Sequence, residues 1–457
     1  MRRRTESIER PLSGRSAIGG CGSAVHLDRR NWMGAAAAFG VAGWLTPVSS
    51  LLARQADSPR RRGPAKSVIV LWLQGGASQL ETFDPHPGTD IAGGSTAIET
   101  SIKGIEIGSG LPRVAEKMER ISLVRSVTSR EGDHERAIYN IKTGFRPDPT
   151  LIHPSVGAIV CHQTEEEDRE RIDIPRHVSI LSSDSPSRGG YLGTRFDPFK
   201  TDDPNQPLPD LLRPVDDARY RQRLSDLNDV VDREFARGRI DRPGIGVNVA
   251  RDLTQAALKM MDSKQLAAFD VSNATAAERE AFGATPFGRG CLAAARLIET
   301  GVRCVEVTLP GWDSHINNHE IHAGLLKELD PAFAALIDRL EERDLLESTV
   351  VMCASEFGRT PTINPAGGRD HWPHGFSVAL AGGGIRGGQV IGKTSPRPKL
   401  DPEHPEYDLE GPVTVQDLHA TILTALGIDP ATEMMTPIGR PMTLTDKGVV
   451  LRELLDS

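Results

Sequence analysis

Six nearly continuous apolar runs recur along the chain, and each ends in glycine or polar residues. The first reads SVIVLWLQGG at 67–76, and the others lie at 120–127, 176–181, 302–309, 348–355 and 376–383. Runs of this length and composition are typical of strands that are buried on both faces of a parallel sheet. The pattern therefore predicts six strands of one central sheet.

Amphipathic patterns with helical periodicity separate most of these runs, at 133–142, 287–300 and 320–343. Strands that alternate with helices predict an α/β fold, here a three-layer α/β/α sandwich with a mainly parallel central sheet. Residues 205–285 carry amphipathic patterns without an intervening strand-like run. We expect them to form a helical insertion.

The N-terminal segment has the composition of an export signal. Residues 1–30 carry seven arginines, and the pair Arg29-Arg30 precedes an apolar run rich in alanine and glycine from Gly34 to Leu45. This order resembles a twin-arginine signal, and the run is too short to cross a bilayer comfortably. The alternative is a basic tail beside a buried helix.

The predicted organisation is therefore an export signal, a linker and one domain, at 1–56, 57–66 and 67–457. The domain would act in the periplasm or otherwise outside the cytoplasm, with no stable membrane span once the signal is removed. The formal net charge is −8, and loss of the signal removes eight arginines and three acids, which leaves about −13. So acidic a protein repels a phosphate backbone, which excludes nucleic acid as a partner.

The cysteines of the predicted domain lack the CxxC spacing of a metal or redox motif. Two of them lie inside strand-like runs, so buried free thiols are favoured over a disulfide. The four are Cys161, Cys291, Cys304 and Cys353.

Acids and histidines follow four of the predicted strands. They lie in QGGASQLETFDPHPG, RSVTSREGDHERAIYNIKTG, PGWDSHINNHEIH and SEFGRTP. Ligands of such sheets bind beyond the carboxyl ends of the strands, so we expect these side chains at one edge. Asp and His supply the oxygen and nitrogen ligands of Zn, Mn and Fe. The sequence predicts a divalent metal ion, whose identity stays open among Zn, Mn, Fe and Ca.

The segment after the fourth run supplies two of the predicted metal ligands. Asp313 and His315 follow the strand directly, although Asp313 could instead cap the next helix. His319 and His322 would share one face of that helix, and a solvated helix start explains them better than metal binding.

The loop GRDHWPHG supplies two more predicted ligands, Asp370 and His371. Such a pair can bind a metal directly, or the Asp can orient the His, and the structural alternative is a capped turn anchored by Trp372. His374 in the same loop is predicted to bind substrate together with Arg359.

Two residues are predicted to be catalytic, His134 and Glu356. Glu356 ends a predicted strand and could be a ligand, a general base or an ion-pair partner of Arg359. His134 follows Asp133 at a helix start, where it could bind metal, move a proton, attack the substrate or merely be solvated. Glu81 and Asp84, in the loop after the first strand, are further candidate oxygen ligands. The alternative is that FDPHPG is an ordinary turn sequence.

Several motifs taken together resemble one bacterial family. The motifs GGASQLETFDPHPG, GWDSH, SEFGRTPTIN with GRDHWP, AGGGIRGGQVIG and TVQDLHATILTALGID are similar to those of the domain of unknown function 1501 (DUF1501) family, over about residues 66–445. That family is grouped with the alkaline phosphatase and sulfatase superfamily. The resemblance implies an alkaline phosphatase-like fold, a divalent metal ion and a small-molecule or glycan ester as substrate.

The sequence departs from the sulfatase pattern where that pattern carries chemistry. Sulfatases have an acidic pair after the first strand, where this chain has QGG, and SEFG puts Phe357 where they have His or Asn. Their modified cysteine or serine corresponds to His134, nine residues before a Thr-Gly pair, and no cysteine lies between residues 22 and 160. A formylglycine is thus excluded, which leaves His134 or a hydroxyl of Thr128 or Ser129 as nucleophile, or an attacking water.

The sequence predicts a metal-dependent hydrolase of phosphate or sulfate esters. The rival hypothesis is a degenerate relative that binds a sulfated or phosphorylated glycan, or a protein partner, without turnover. The missing acidic pair motivates the rival hypothesis, and the acid and histidine clusters favour the enzyme.

Overall fold

A nine-stranded sheet forms the centre of the protein. The structure is a computed structural model that describes residues 63–168, 171–182, 187–208, 211, 215–238, 247–401 and 404–456. In chain order the strands are β1 (Ser67–Gln74), β2 (Ala97–Glu99), β3 (Glu106–Gly108), β4 (Ile121–Thr128), β5 (His177–Ile180), β6 (Phe199–Thr201), β7 (Cys304–Pro310), β8 (Thr349–Ala354), β9 (Gly358–Arg359), β10 (His371–Trp372), β11 (Phe376–Gly382), β12 (Val390–Ile391), β13 (Lys393–Thr394), β14 (Leu409–Glu410), β15 (Val413–Thr414), β16 (Glu433–Met435) and β17 (Pro441–Thr443).

The sheet is mainly parallel, as predicted. Its strand order is β12-β4-β11-β8-β1-β7-β5-β6, and β15 also pairs with β4. Strand β1 is parallel to β7 and β8, β5 is parallel to β6 and β7, and β4 is parallel to β12 and β15. Strand β11 runs antiparallel to both β4 and β8. The six predicted runs form β1, β4, β5, β7, β8 and β11.

Helices cover both faces of the sheet. They are α1 (Pro112–Ala115), α2 (His134–Thr143), α3 (Val156–Gln163), α4 (Glu165–Asp168), α5 (Asp217–Gly238), α6 (Val247–Met261), α7 (Ala276–Phe282), α8 (Pro286–Glu299), α9 (Asn318–Glu342) and α10 (Val415–Ala425). Alternate residues of β1 enter two cores: Leu71 and Leu73 pack with α1, α8 and α9, whereas Val70 and Trp72 pack with α2, α3 and α10. The two cores on either side of one sheet confirm the three-layer prediction.

The helical segment expected at 205–285 is present as far as the chain is described. Between β6 and α8 the described residues form α5, α6 and α7 and contain no strand. None of the described helices is long and apolar enough to cross a membrane. The predicted export signal and most of the linker fall outside the described residues. The four cysteines of the predicted domain are buried and free, which confirms that expectation.

The strands that precede the polar segments all end at the same edge of the sheet. Strands β7 and β8 are parallel to β1, and β4 is parallel to β8 because β11 is antiparallel to both. The last residues of these four strands are Gln74, Thr128, Pro310 and Ala354. The loops that follow them therefore share one edge, where ligands of such sheets bind.

Candidate metal site

Four side chains from these loops form a group that we call the strand-end cluster: His134, Asp313, His315 and His371. His134 is the first residue of α2, Asp313 and His315 follow β7, and His371 lies in β10. Ligand atoms of His134, Asp313 and His371 lie within 4.8 Å of one another. The structure thus brings together residues that are far apart in the sequence.

Three acceptor atoms of the strand-end cluster lie in mutual contact. The Nε2 atoms of His315 and His371 are 3.0 Å apart, and they lie 3.2 Å and 3.3 Å from Oδ1 of Asp313. Two ligand atoms held about 2.0–2.1 Å from one tetrahedral ion are about 3.3 Å apart. The three separations fit one face of such a coordination sphere.

Hydrogen bonds on the far side of each ring indicate which nitrogen carries hydrogen. Nδ1 of His371 lies 2.9 Å from the carbonyl oxygen of Gly132, which can only accept, and Nδ1 of His315 lies 2.8 Å from Oδ1 of Asp370. In the neutral rings both Nδ1 atoms donate, so both Nε2 lone pairs face Asp313. Converging lone pairs repel unless a proton or a metal ion lies between them. Imidazoles anchored in this way at Nδ1 are the form that metals bind.

Asn364 organises the loop that presents Asp370. Its Nδ2 donates to Oδ1 of Asp370 at 3.2 Å and to the carbonyl of His315 at 3.0 Å. The hydrogen bond from His315 lowers the pKa of Asp370, so its carboxyl group is ionised and orients the ring. The sequence did not single out Asn364, and the turn-forming NPAGG around it is the signal that could have revealed it.

A buried carboxylate holds His134. Oε1 of Glu356 lies 2.9 Å from Nδ1 of His134, and the side chain of Glu356 has no exposed surface. The same Oε1 accepts from the backbone N–H of Gly75 at 2.8 Å, and Oε2 lies 3.1 Å from the hydroxyl of Ser355. The hydrogen bond to Glu356 raises the pKa of His134 above its ordinary value. Nε2 of His134 lies 3.5 Å from Oδ2 of Asp313.

Both ends of helix α2 are capped. The N-cap Asp133 accepts from the backbone N–H of Arg136, and Gly144 ends the helix in the left-handed region with φ 76°. His134 is consequently the first helical residue. Its ring packs against those of Phe357 and His371, with centroids 5.0 Å and 4.5 Å away.

Asp313 is hydrogen-bonded to the buried side chain of Arg359. Nη2 of Arg359 donates to Oδ1 of Asp313 at 2.6 Å. Burial raises the pKa of Asp313, but the hydrogen bond and charge of Arg359 outweigh it, so that the pKa is lowered. The alternative that Asp313 caps a helix is wrong, because α9 begins at Asn318 with Asn317 at the N-cap position.

The sequence predicts Arg359 as a substrate-binding residue, but its guanidinium is fully buried. It lies there because β9 pairs with β10, which places Arg359 opposite His371 inside the loop. Its donors go to Asp313 and to backbone carbonyls. His374, the other predicted substrate residue, is half-buried. Burial lowers its pKa, although the negative charge of Asp408 acts to raise it. Substrate contact by His374 stays a prediction.

The remaining candidates lie apart, and three residues form what we call the buried cluster: Glu81, His322 and Arg369. Oε1 of Glu81 accepts from Nη2 of Arg369 at 2.9 Å. Burial raises the pKa of Glu81, but the charge of Arg369 helps to lower it to about 2. Nε2 of His322 accepts from the N–H of Ser78, and Nδ1 donates to the carbonyl of Asn318, both at 2.9 Å. Burial lowers the pKa of His322 to about 4, so the ring is neutral and its nitrogens are occupied.

Asp84 and His319 also have protein partners. Oδ2 of Asp84 accepts from the backbone N–H of Thr394 at 2.7 Å, and Nε2 of His319 lies 2.9 Å from the carbonyl of Gly93. Both residues lie outside the strand-end cluster. His319 and His322 both lie at the start of α9, which agrees with the expected helix start, but His322 is buried rather than solvated.

The sequence of residues 65–455 matches the family model described as protein of unknown function (DUF1501). The chain belongs to the DUF1501 family. The motif resemblance is thereby confirmed. No curated protein matches this DUF1501 chain.

Solved structures resemble this DUF1501 protein at low identity. Alkaline phosphatase from the Antarctic bacterium TAB5 is 12% identical, with 80% of this chain and 99% of that chain covered and a TM-score of 0.35. A sulfatase from Pseudoalteromonas sp. is 13% identical, with coverages of 83% and 70% and a TM-score of 0.37. Lipoteichoic acid synthase from Listeria monocytogenes is 10% identical, with coverages of 83% and 74% and a TM-score of 0.36.

Among the predicted nucleophiles of this DUF1501 protein, His134 belongs to the strand-end cluster. The hydroxyl of Ser129 is buried and donates to Oδ1 of Asn140 in α2 at 2.9 Å. Thr128 ends β4 and pairs with Thr414 of β15. The geometry thus favours His134 over Ser129 for a role next to a bound metal.

Proposed function

We propose that this protein is an exported, metal-dependent hydrolase of phosphate or sulfate esters. The observation that carries the proposal is the convergence of two imidazole Nε2 atoms, from His315 and His371, on Oδ1 of Asp313. The motif resemblance to a family grouped with alkaline phosphatases and sulfatases supports the substrate class, a small-molecule or glycan ester.

Asp313, His315 and His371 would hold the ion. Asp370 and Glu356 are also predicted ligands, but their hydrogen bonds suit them better to orienting His315 and His134. Two nitrogen donors and one oxygen donor favour Zn, Mn or Fe over Ca, which prefers oxygen ligands.

A divalent ion bound there would polarise the ester oxygen and offset the negative charge that develops during hydrolysis. The protein's own part is proton transfer. His134 keeps hydrogen on Nδ1 against Glu356, so its Nε2 can take a proton from an attacking water and return it to the leaving oxygen. The buried ring of Phe357 packs on His134 and His371 and excludes water from that side of the rings.

A second candidate function is binding of a sulfated or phosphorylated glycan, or of a protein, without turnover. It is favoured by the end of β1, where glycines 75 and 76 stand in place of an acidic pair. It is also favoured by the engagement of the Ser129 hydroxyl with Asn140.

Metal analysis tests the proposal directly. We expect the purified protein to carry a transition metal when measured by inductively coupled plasma mass spectrometry, and His371→Ala to lose it. The matched control is His319→Ala, which removes a nearby histidine outside the strand-end cluster and should keep the metal. Absence of metal in the unaltered protein, even after incubation with Zn, Mn, Fe and Ca, would contradict the proposal and favour the binding function.

Turnover separates the two candidate functions. We expect the metal-loaded protein to hydrolyse aryl phosphate or aryl sulfate esters, and His134→Gln to abolish hydrolysis while it retains the metal. If His134→Gln leaves hydrolysis unchanged, His134 does not transfer the proton. If the unaltered protein binds sulfated glycans but hydrolyses no ester, the binding function is correct.

Export is tested separately with residues 1–56 fused to a reporter that is active only in the periplasm. We expect export of the fusion, and its loss when Arg29 and Arg30 are both replaced by Lys, because the twin-arginine pair is the recognised element. Export that survives this change would contradict the twin-arginine route.

A further inference from the structure

Two arginines of the loop after β8 are fully buried, Arg359 and Arg369. Each donates to backbone carbonyls and to one carboxyl group, Arg359 to Asp313 and Arg369 to Glu81. They differ in one respect, because the partner of Arg359 belongs to the strand-end cluster and the partner of Arg369 does not. A buried charge is costly unless it is paired, and each of these guanidiniums has a carboxylate partner.

The guanidinium of Arg359 lies among oxygens at the end of β1. Its Nε donates to the carbonyl of Gly76 at 2.8 Å, and its Nη2 donates to the carbonyl of Gly75 and, at 2.6 Å, to Oδ1 of Asp313. Its Nη1 donates to the carbonyl of Arg369 at 3.1 Å. Carbonyl and carboxylate oxygens are the ligands of hard metal cations, and here a side-chain cation takes them.

The end of β1 has no space for an acidic side chain. At Gly75, with φ 120°, a Cβ atom would lie 2.5 Å from the backbone nitrogen of Asp313. At Gly76, with φ 86°, it would lie 2.5 Å from a ring carbon of Phe357 and 3.1 Å from Nη2 of Arg359. Ligands for a second ion are therefore missing at this strand end, and the guanidinium and Phe357 fill the space.

The formal charges of the site also favour one divalent ion over two. The carboxyl groups of Asp313, Glu356 and Asp370 all act on the Arg359 guanidinium. The three carboxylates and the guanidinium by themselves sum to a formal charge of −2. One divalent ion balances that charge, and a second would leave an excess of positive charge in a half-buried site.

We propose that Arg359 is a built-in cation that positions Asp313 and restricts the strand-end cluster to a single divalent ion. The inference rests on the proposed function in that it takes this cluster as the metal site. Arg359 is a positioning residue, because its guanidinium is buried and acts through Asp313.

The number of bound ions is the first test, and it needs no variant. We expect native mass spectrometry of the full protein, titrated with Zn²⁺ and separately with Mn²⁺, to show one tightly bound ion per chain. Two tightly bound ions would overturn the inference and leave the proposed function standing. No bound ion would remove the proposed function itself.

The second test compares Arg359→Ala with Arg369→Ala, a matched removal of a buried guanidinium from the same loop. We expect Arg359→Ala to weaken Zn²⁺ affinity about 10- to 100-fold, the usual cost of losing a group that orients a ligand, in a competition titration with a chromophoric chelator. Millimolar guanidinium chloride should restore affinity, and sodium chloride at equal ionic strength should not. Arg369→Ala should keep the affinity of the unaltered protein.

An equal loss of affinity in the two alanine variants would show that Arg359 acts only through general stability, which would overturn the inference. If Arg359→Ala does not fold, Arg359→Lys replaces it in the comparison. Lys keeps the charge but lacks the planar fork that spans Gly75, Gly76 and Asp313, so a smaller loss of affinity is expected. An affinity equal to that of the unaltered protein would contradict the positioning role.

Discussion

The strand-end cluster and the buried cluster contain the same kinds of residue at the same edge of the sheet, but their polar atoms are bound differently. In the buried cluster Glu81 pairs with Arg369, and both nitrogens of His322 have backbone partners. In the strand-end cluster each histidine has Nδ1 bound to a protein oxygen and Nε2 near Asp313. Imidazole Nε2 atoms that face a carboxylate and one another, rather than residue types, distinguish the proposed metal site from the buried cluster.

Access to solvent differs between the clusters as well. The side chain of Asp313 is 48% exposed, whereas that of Glu81 is 6% exposed. The strand-end cluster is therefore accessible from solvent. The buried cluster holds the first loop and the Arg369 loop together, which is a stabilising role.

The largest expected effect is the loss of bound metal in Asp313→Asn. The amide lacks the charge that faces Nε2 of His315 and Nε2 of His371, so we expect metal content to fall to background while circular dichroism shows a folded protein. The matched change in the buried cluster, Glu81→Gln, should leave metal content unchanged. If both variants lose metal equally, the distinction between the clusters fails.

The next effect is on stability and belongs to the buried cluster. Arg369→Met removes the guanidinium partner of the buried Glu81 carboxylate, and we expect the free energy of unfolding to fall by about 3–5 kcal/mol in urea denaturation. The control is Arg343→Met, which removes a half-exposed partner of Glu299 and should cost at most about 1 kcal/mol. Similar losses in both variants would contradict a stabilising role for the buried cluster.

A third effect of about 3 kcal/mol is expected in the pH dependence of stability. Burial lowers the pKa of His322 from 6.5 to about 4, so the unfolded chain takes up a proton at higher pH than the folded protein does. This contribution is fully present above pH 6.5 and is lost as the pH falls toward 4. We expect His322→Gln to flatten the decline of the unfolding free energy in this pH range. His319→Gln should leave that decline unchanged. An unchanged decline in His322→Gln would show that other groups cause it.

The smallest effect returns to the strand-end cluster. Asp370→Asn weakens the hydrogen bond that orients His315, and we expect metal affinity to fall about 10- to 100-fold, or about 1.4–2.7 kcal/mol. Glu320→Gln makes the same charge change on an exposed residue of α9 and should not alter affinity. A loss as large as in Asp313→Asn would indicate that Asp370 binds the ion itself.

Sequence patterns located the strand-end cluster without establishing its geometry. The buried runs predicted β7 and β8, and the rule on strand ends placed Asp313, His315 and Glu356 at one edge. The same reasoning did not foresee that Arg359 is fully buried, because a charged residue in a polar loop is usually exposed. It also passed over Asn364, because its role depends on which oxygen its amide meets.

Sequence alone determined the α/β class, the predicted strands and the family, because apolar periodicity and local motifs are written along the chain. Only the tertiary structure decided which acids and histidines keep a free lone pair. That outcome depends on partners distant in sequence, such as the carbonyl of Gly132 for His371 and the N–H of Ser78 for His322. Hydrogen bonds between distant segments are settled by packing, and packing follows from the whole chain at once.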